Sequence, residues 1–262
     1  YLWLIMNSIE IFDVLNTGKY DALELENRLK ELINLDNNDS YAYNNLAFIY
    51  DNLKRYEEAE TYYKLATEKG NIEALNNLAF LYYNLERYEE AETYYKLAIE
   101  KGNIEALNNL ACLYKNLKRY EEAETYYKLA IEKGHIVALN NLAVLYDILE
   151  KYEEAETYYK LAIEKGNIVA LNNLANLYSK LERYEEAETY YKLAIEKGSK
   201  EAQENLKNFP KFLKKIYTDI NNDDCAVCLN KLMKTTSPLT ILTCGHAFHS
   251  LCLKNKCPLC RI

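Results

Sequence analysis

Eight side chains near the C-terminus have the types and spacing of metal ligands: Cys225-x2-Cys228-x15-Cys244-x-His246-x2-His249-x2-Cys252-x4-Cys257-x2-Cys260. Zn²⁺ takes four N or S donors in a tetrahedron, and a Cys-x2-Cys turn presents two thiolates to one ion. Eight donors therefore make two closed sites. A closed site has no open position for a substrate, so this zinc is structural and not catalytic. Six of the seven cysteines crowd between 225 and 260 and interleave with two of the three histidines. In a reducing compartment that pattern means metal and not disulfides. A segment this short has too little core to fold without its ions. Phe248, Ile241 and Leu242 are its expected apolar core.

The order of these ligands resembles the RING family in its H2 form, with His at both the fourth and fifth ligand places. The resemblance implies a cross-brace in which ligand pairs alternate between two zinc ions. Cys225, Cys228, His249 and Cys252 would hold one, and Cys244, His246, Cys257 and Cys260 the other. RING domains typically act as E3 ubiquitin ligases: they bind a ubiquitin-charged E2 enzyme and promote transfer to a substrate lysine. Val227 matches the aliphatic E2 contact between the first two ligands, and Pro258 lies in the second contact loop. Arg261 matches a basic residue that bridges E2 and ubiquitin. Many H2-type RINGs place a Trp in a longer spacer between the sixth and seventh ligands. Here that spacer is Leu253-Lys254-Asn255-Lys256, with Leu253 as the apolar residue in the Trp's stead. The implied ligase carries no covalent nucleophile; it restrains the E2–ubiquitin thioester in a reactive arrangement. Helical-solenoid subunits of vesicle-tethering complexes also end in RINGs, so a non-enzymatic scaffold is the alternative.

Most of the remaining chain is one repeated unit. Gly70, Gly102, Gly134, Gly166 and Gly198 recur every 32 residues, which delimits units 39–70, 71–102, 103–134, 135–166 and 167–198. Each unit predicts two helices. In the first, Leu75, Leu78, Ala79 and Tyr82 fall at i, i+3, i+4 and i+7, on one face. The second runs from about Arg87 to Lys101, with Tyr88, Ala91, Tyr95 and Ala98 on its buried face. Its early Glu89, Glu90 and Glu92 and its late Lys101 complement the helix dipole, and Glu92 to Lys96 is a favourable i,i+4 pair. Gly102 supplies the left-handed residue that ends it.

These positions resemble the tetratricopeptide repeat, with the same order of Leu, small residue, Tyr, Tyr, Ala, aromatic and Ala. The unit is shorter than the usual repeat of about 34 residues and lacks its closing proline. The Glu-Lys-Gly ending is similar to that of Sel1-like repeats. The expected fold is mainly α: an α-solenoid of such hairpins followed by a small zinc-stabilised RING domain. Residues 1–38 read as a degenerate leading hairpin with Asn16-Thr17-Gly18 as its turn, and 39–198 as five repeats. Residues 199–224 read as a closing helix broken at Pro210 plus a polar linker, and 225–262 as the finger. Atypical end units are expected where an array must cover its apolar ends.

The copies differ mostly in the first helix. Its third position carries Tyr41, Glu73, Glu105, Val137 and Val169, and its tenth carries Phe48, Phe80, Cys112, Val144 and Asn176. Positions 3, 10 and 14 share a face with position 7, which never changes: Asn45, Asn77, Asn109, Asn141 and Asn173. In the tetratricopeptide resemblance this face lines the concave groove. A fixed Asn row there resembles the ladder by which some such proteins hold the backbone of an extended peptide, since an amide both donates and accepts. Varied neighbours would select side chains. Glu92 and Lys96, read as solvent-facing, did not drift, which favours a groove under selection. The adjacent Asn44, Asn76, Asn108, Asn140 and Asn172 are equally constant secondary candidates. Cys112 reads as a groove or packing residue and His135 as a solvated replacement for Asn at a helix start.

A formal net charge of -8 argues against a nucleic-acid grip. No stretch is long and apolar enough to span a bilayer, and no basic region precedes the opening apolar residues, so neither membrane insertion nor a signal peptide is expected. The expected location is intracellular, in the cytoplasm. The chain does not begin with Met, so Met6 is read as a candidate start, or the chain as a fragment.

Overall fold

The computed structural model describes residues 21–208 and two short strands, 239–241 and 247–249. Eleven helices follow one another: α1 (Ala22–Leu35), α2 (Ser40–Asn52), α3 (Tyr56–Glu68), α4 (Ile72–Asn84), α5 (Tyr88–Glu100), α6 (Glu105–Asn116), α7 (Tyr120–Glu132), α8 (Ile136–Ile148), α9 (Tyr152–Glu164), α10 (Ile168–Lys180) and α11 (Tyr184–Glu196). Residues 200–208 are helical as well. The chain divides into two compact units, 1–173 and 174–262.

Each repeat is an antiparallel hairpin, and four of the five first helices start on a polar cap. The side chain of Asp39 accepts from Ala42 N–H at 3.0 Å, and those of Asn71 and Asn103 from Ala74 and Ala106 at 2.9 Å. These bonds satisfy donors that the helix leaves orphaned. The two helices then close on alanines: Ala79, Ala91 and Ala98 are fully buried, as are their counterparts along the array. Small side chains let the backbones approach, and the tyrosines fill what remains. Tyr82 meets Tyr94 at 5.4 Å between ring centroids, Tyr114 meets Tyr126 at 5.5 Å, and the pattern recurs in every hairpin. Tyr88, expected in the core, is only half-buried and leans on Tyr83 at 6.1 Å.

Both helices of a hairpin end in a Schellman motif. After α5, Asn103 N–H reaches Ala98 C=O at 2.9 Å, with Gly102 at φ 93°. After α4, Arg87 N–H reaches Tyr82 C=O at 2.8 Å, but the left-handed residue between them is Glu86, at φ 59°. Lys54, Lys118, Glu150 and Glu182 repeat this conformation with φ between 58° and 60°. An L-residue there costs about 1–2 kcal/mol that glycine avoids. Nothing in the sequence of these turns signals it.

The ends of the array continue the pattern. Helix α1 carries Glu26 and Lys30 where α3 carries Glu60 and Lys64, so it matches the second helix of a repeat. The turn expected at 16–18 lies outside the described residues. In the second unit, Ser199 caps Ala202 N–H at 3.2 Å, and Asn205 stands at the seventh position of a further first helix. Pro210 lies outside the described residues. Strands β1 (Leu239–Ile241) and β2 (Ala247–His249) pair antiparallel, with Thr240 opposite Phe248.

Replacing Glu150 by glycine is expected to stabilise the protein by up to about 1 kcal/mol in urea unfolding, less whatever chain entropy the glycine adds. The reverse change, Gly166→Ala, is expected to destabilise although the new methyl meets nothing within 4 Å. A loss of stability in Glu150→Gly would remove backbone conformation as the controlling factor.

Candidate functional site

The invariant Asn-Asn pair of each first helix divides its labour. Asn44, Asn76, Asn108 and Asn140 are buried. The second asparagine of the next repeat donates to each of them from Nδ2 to Oδ1: Asn77 to Asn44 and Asn109 to Asn76 at 3.0 Å, Asn141 to Asn108 and Asn173 to Asn140 at 2.9 Å. Inside a pair, Asn108 Nδ2 donates to Asn109 Oδ1 at 3.3 Å and Asn140 Nδ2 to Asn141 Oδ1 at 3.4 Å. The bonds link Asn173, Asn140, Asn141, Asn108, Asn109 and Asn76 into one chain, in which every bond between repeats is donated to the preceding repeat. A buried amide left without partners costs about 1–3 kcal/mol, so these residues cannot drift even if nothing binds them.

The expected ladder residues therefore sit in a row, but much of their hydrogen-bonding capacity is committed between repeats. Asn77, Asn109, Asn141 and Asn173 are half-buried, while Asn45 is fully buried and not open to a ligand. The variable positions beside them are the open ones. Tyr41, Phe80, Val137, Ile148 and Val169 are each about half exposed, and Phe80 stacks on Tyr83 with centroids 6.2 Å apart. Cys112 is half-buried; its sulfur accepts from Tyr127 OH at 3.2 Å and lies 3.8 Å from Asn141 Nδ2. At the same position Asn176 accepts from Tyr191 OH at 2.6 Å and from Asn205 at 3.4 Å. His135 is not the solvated residue expected: its Nδ1 is buried without a hydrogen-bond partner.

A second stripe clasps successive hairpins. Glu92 of α5 accepts from Lys96 Nζ at 2.6 Å, from Tyr114 OH at 2.9 Å and from Arg119 Nη1 at 2.7 Å, the last two in the next repeat. The Arg119 guanidinium also lies over the Tyr114 ring, 4.1 Å from its centroid, and pairs with Glu122. Glu60 makes the same three contacts with Lys64, Tyr82 and Arg87 at 2.6, 3.0 and 2.8 Å, and Glu26 makes them with Lys30, Tyr50 and Arg55. Glu92 and Lys96 are thus not idle solvent-facing residues. Their constancy follows from the joint, and it no longer argues that the opposite face is under separate selection.

Partial burial disfavours the charged form of Glu92, yet the bonds from Arg119, Lys96 and Tyr114 overcome it and hold its pKa near 2, below the ordinary 4.5. Burial and the Glu92 carboxylate push the Tyr114 hydroxyl up to about 12.

Of the eight expected zinc ligands, His249 alone falls on described backbone, at the end of β2 opposite Leu239. Cys225, Cys228, Cys244, His246, Cys252, Cys257 and Cys260 lie outside the described residues, as do Val227, Leu253, Pro258 and Arg261. The donor chemistry, six thiolates and two imidazoles, fits two zinc ions of Cys3His type. Among the described residues no cluster of His, Cys, Asp or Glu could hold a metal. No helix there is long and apolar enough to cross a membrane.

Sequence models of the tetratricopeptide repeat match residues 29–61, 72–102, 104–132, 135–169 and 168–197. The array is a solenoid of tetratricopeptide-like repeats. A model described as a RING-like zinc finger matches 224–253, a stretch that holds six of the eight ligands and stops before Cys257 and Cys260. Solved structures share the fold. BtubC (BKLC) from P. vanneervenii matches at 21% identity and TM-score 0.57, over 67% of this chain and 87% of that one. The pilF protein of Pseudomonas aeruginosa matches at 22% and 0.59, over 74% and 91%. Yeast Tom70 matches at 22% and 0.64, over 84% of this chain and 48% of its own. At these identities the likeness shows the fold alone. No curated protein matches the chain.

The carboxylate clasps fix the acid limb of stability. A carboxyl whose pKa falls on folding contributes fully above its unfolded value, near 4.5, and loses that contribution as pH drops toward 2. Glu92→Gln is therefore expected to be less stable than the parent at pH 7 and to converge with it by about pH 2, in thermal melts across that range. A gap that stays constant with pH would show that the carboxylate charge is not what matters.

Proposed function

We propose that the chain is a RING-type E3 ubiquitin ligase that holds a protein partner on its repeat array and recruits a ubiquitin-charged E2 through its C-terminal finger. The order of eight ligands, six of them inside the RING-like match, carries this reading. Two Zn²⁺ would be held by Cys225, Cys228, His249 and Cys252, and by Cys244, His246, Cys257 and Cys260, and would supply structure and no chemistry. Val227, Leu253, Pro258 and Arg261 would form the E2 contact. With no covalent nucleophile, the work left to the chain is positioning, and tethering acceptor and E2 in one molecule raises the acceptor lysine's effective concentration. The domain plan is a leading hairpin in 1–38, five repeats in 39–198, a closing helix and linker in 199–224, and the finger in 225–262.

On the array, variable residues would select the partner, among them the exposed Phe80 and Ile148 and the half-buried Tyr83 and Val144. Asn77, Asn109, Asn141 and Asn173 would offer it what bonding capacity the joints leave over. Substituting the asparagines tests stability before it tests binding, so the groove is better probed at exposed positions. Phe80→Ser with Ile148→Ser is expected to lower capture of substrate protein at least tenfold while leaving the melting temperature within a few degrees. Undiminished capture would place the binding surface elsewhere.

A non-enzymatic scaffold is favoured by one feature, the spacer 253–256 without an aromatic residue. The deciding experiment is autoubiquitination by the zinc-loaded full chain with a panel of E2 enzymes. Ubiquitin chains are expected with at least one E2, and zinc chelation or Arg261→Ala should suppress them. Zinc-loaded protein that is inactive with every E2 would leave the scaffold reading.

A further inference from the structure

The joint between the third and fourth repeats lacks contacts that earlier joints share. At the three preceding joints an arginine of the incoming repeat bonds the glutamate of the outgoing helix: Arg55 to Glu26 at 3.2 Å, Arg87 to Glu60 at 2.8 Å and Arg119 to Glu92 at 2.7 Å. The fourth repeat carries Lys151 at that place. Glu124 keeps Lys128 at 2.6 Å and Tyr146 OH at 2.9 Å, but Lys151 forms no ion pair with any described residue. Its Nζ hangs 5.6 Å from the Tyr146 centroid, where each arginine sits within 4.3 Å of its tyrosine. A compact ammonium cannot span two carboxylates and a ring as a planar guanidinium does.

The second defect is at the other end of the same hairpin's first helix. Asn71, Asn103 and Asn167 cap α4, α6 and α10, whereas His135 makes no side-chain cap to α8. The cleft at the clasp differs in volume as well. The cleft between Arg119 and the turn at Glu86–Glu92 measures about 480 Å³, and the equivalent cleft between Lys151 and the turn at Lys118–Glu124 about 650 Å³. The wider cleft accompanies the change from arginine to lysine in the clasp, while the missing cap is independent of it, and both defects fall at one joint. The face presented by the first helices changes there too, from Tyr41, Glu73 and Glu105 at the third position to Val137 and Val169.

We infer that this joint is a hinge built into the array: the place where successive repeats part first, by loosening the start of α8 and the turn before α9. The asparagine bond from Asn141 to Asn108 survives there and keeps the two halves in register. Local opening of this kind follows the distribution of contacts that hold an element down.

Hydrogen exchange of the full, zinc-loaded chain tests it. Amides in 136–142 and 150–155 are expected to exchange at least about five-fold faster than their equivalents in the second and third repeats, the factor that one lost cap alone supplies. The double variant His135→Asn, Lys151→Arg restores residues the sister repeats already carry and should remove the difference. Arg119→Lys should create a second fast site at the joint between the second and third repeats. Uniform exchange across the joints of the parent would overturn the hinge, as would fast exchange that persists in the double variant.

Discussion

A hairpin of 32 residues buries too little surface to stand alone, so each repeat depends on its neighbour, and the neighbour is grasped at two levels. Apolar packing supplies most of the attraction but is not directional. Direction comes from a glutamate that receives a tyrosine and an arginine from the next hairpin, and from an asparagine that receives another asparagine. Both need the incoming repeat at one stagger and one angle. The clasp is partly buried, which is why its carboxylate is held so far from its ordinary titration. Removing one partner would strand the others.

Much of this architecture was legible from the residues. Helix spans, hairpin pairing, the alanine contacts and the glycine ends follow from periodicities written five times over. The leading segment was read as a degenerate hairpin and the trailing one as a closing helix. Among the described residues each carries a recognisable part of the repeat, Glu26 and Lys30 on one side and Asn205 on the other. What a single repeat cannot encode is its stagger against the next. For that reason Glu92 and Lys96 looked idle and Asn77 looked available. The left-handed Glu86 and its counterparts were invisible for another reason: they use residue types that carry no turn signal.

Constancy among copies therefore has two sources in this chain. Asn108 and Glu92 are fixed because each answers to a partner in an adjoining repeat, and a change in one copy would spoil a joint. Phe80, Cys112, Val144 and Asn176 stand where several residue types serve and have diverged, with Cys112 and Asn176 accepting from Tyr127 and Tyr191 of their own hairpins and meeting Asn141 and Asn205 of the next. The surface that distinguishes this protein from an idealised array is thus the varied one, and the question of what it binds belongs there.

The one-way run of asparagine amides has a further consequence. Because each interior pair accepts from the repeat that follows and donates to the repeat that precedes, the interior repeats are interchangeable in the run. Deleting one unit, or copying it, would bring together two edges that already match, and the amide chain would close across the cut. Such an array can change length by recombination between its own near-identical copies without passing through a misfolded form, and each change would reset how much binding surface precedes the finger.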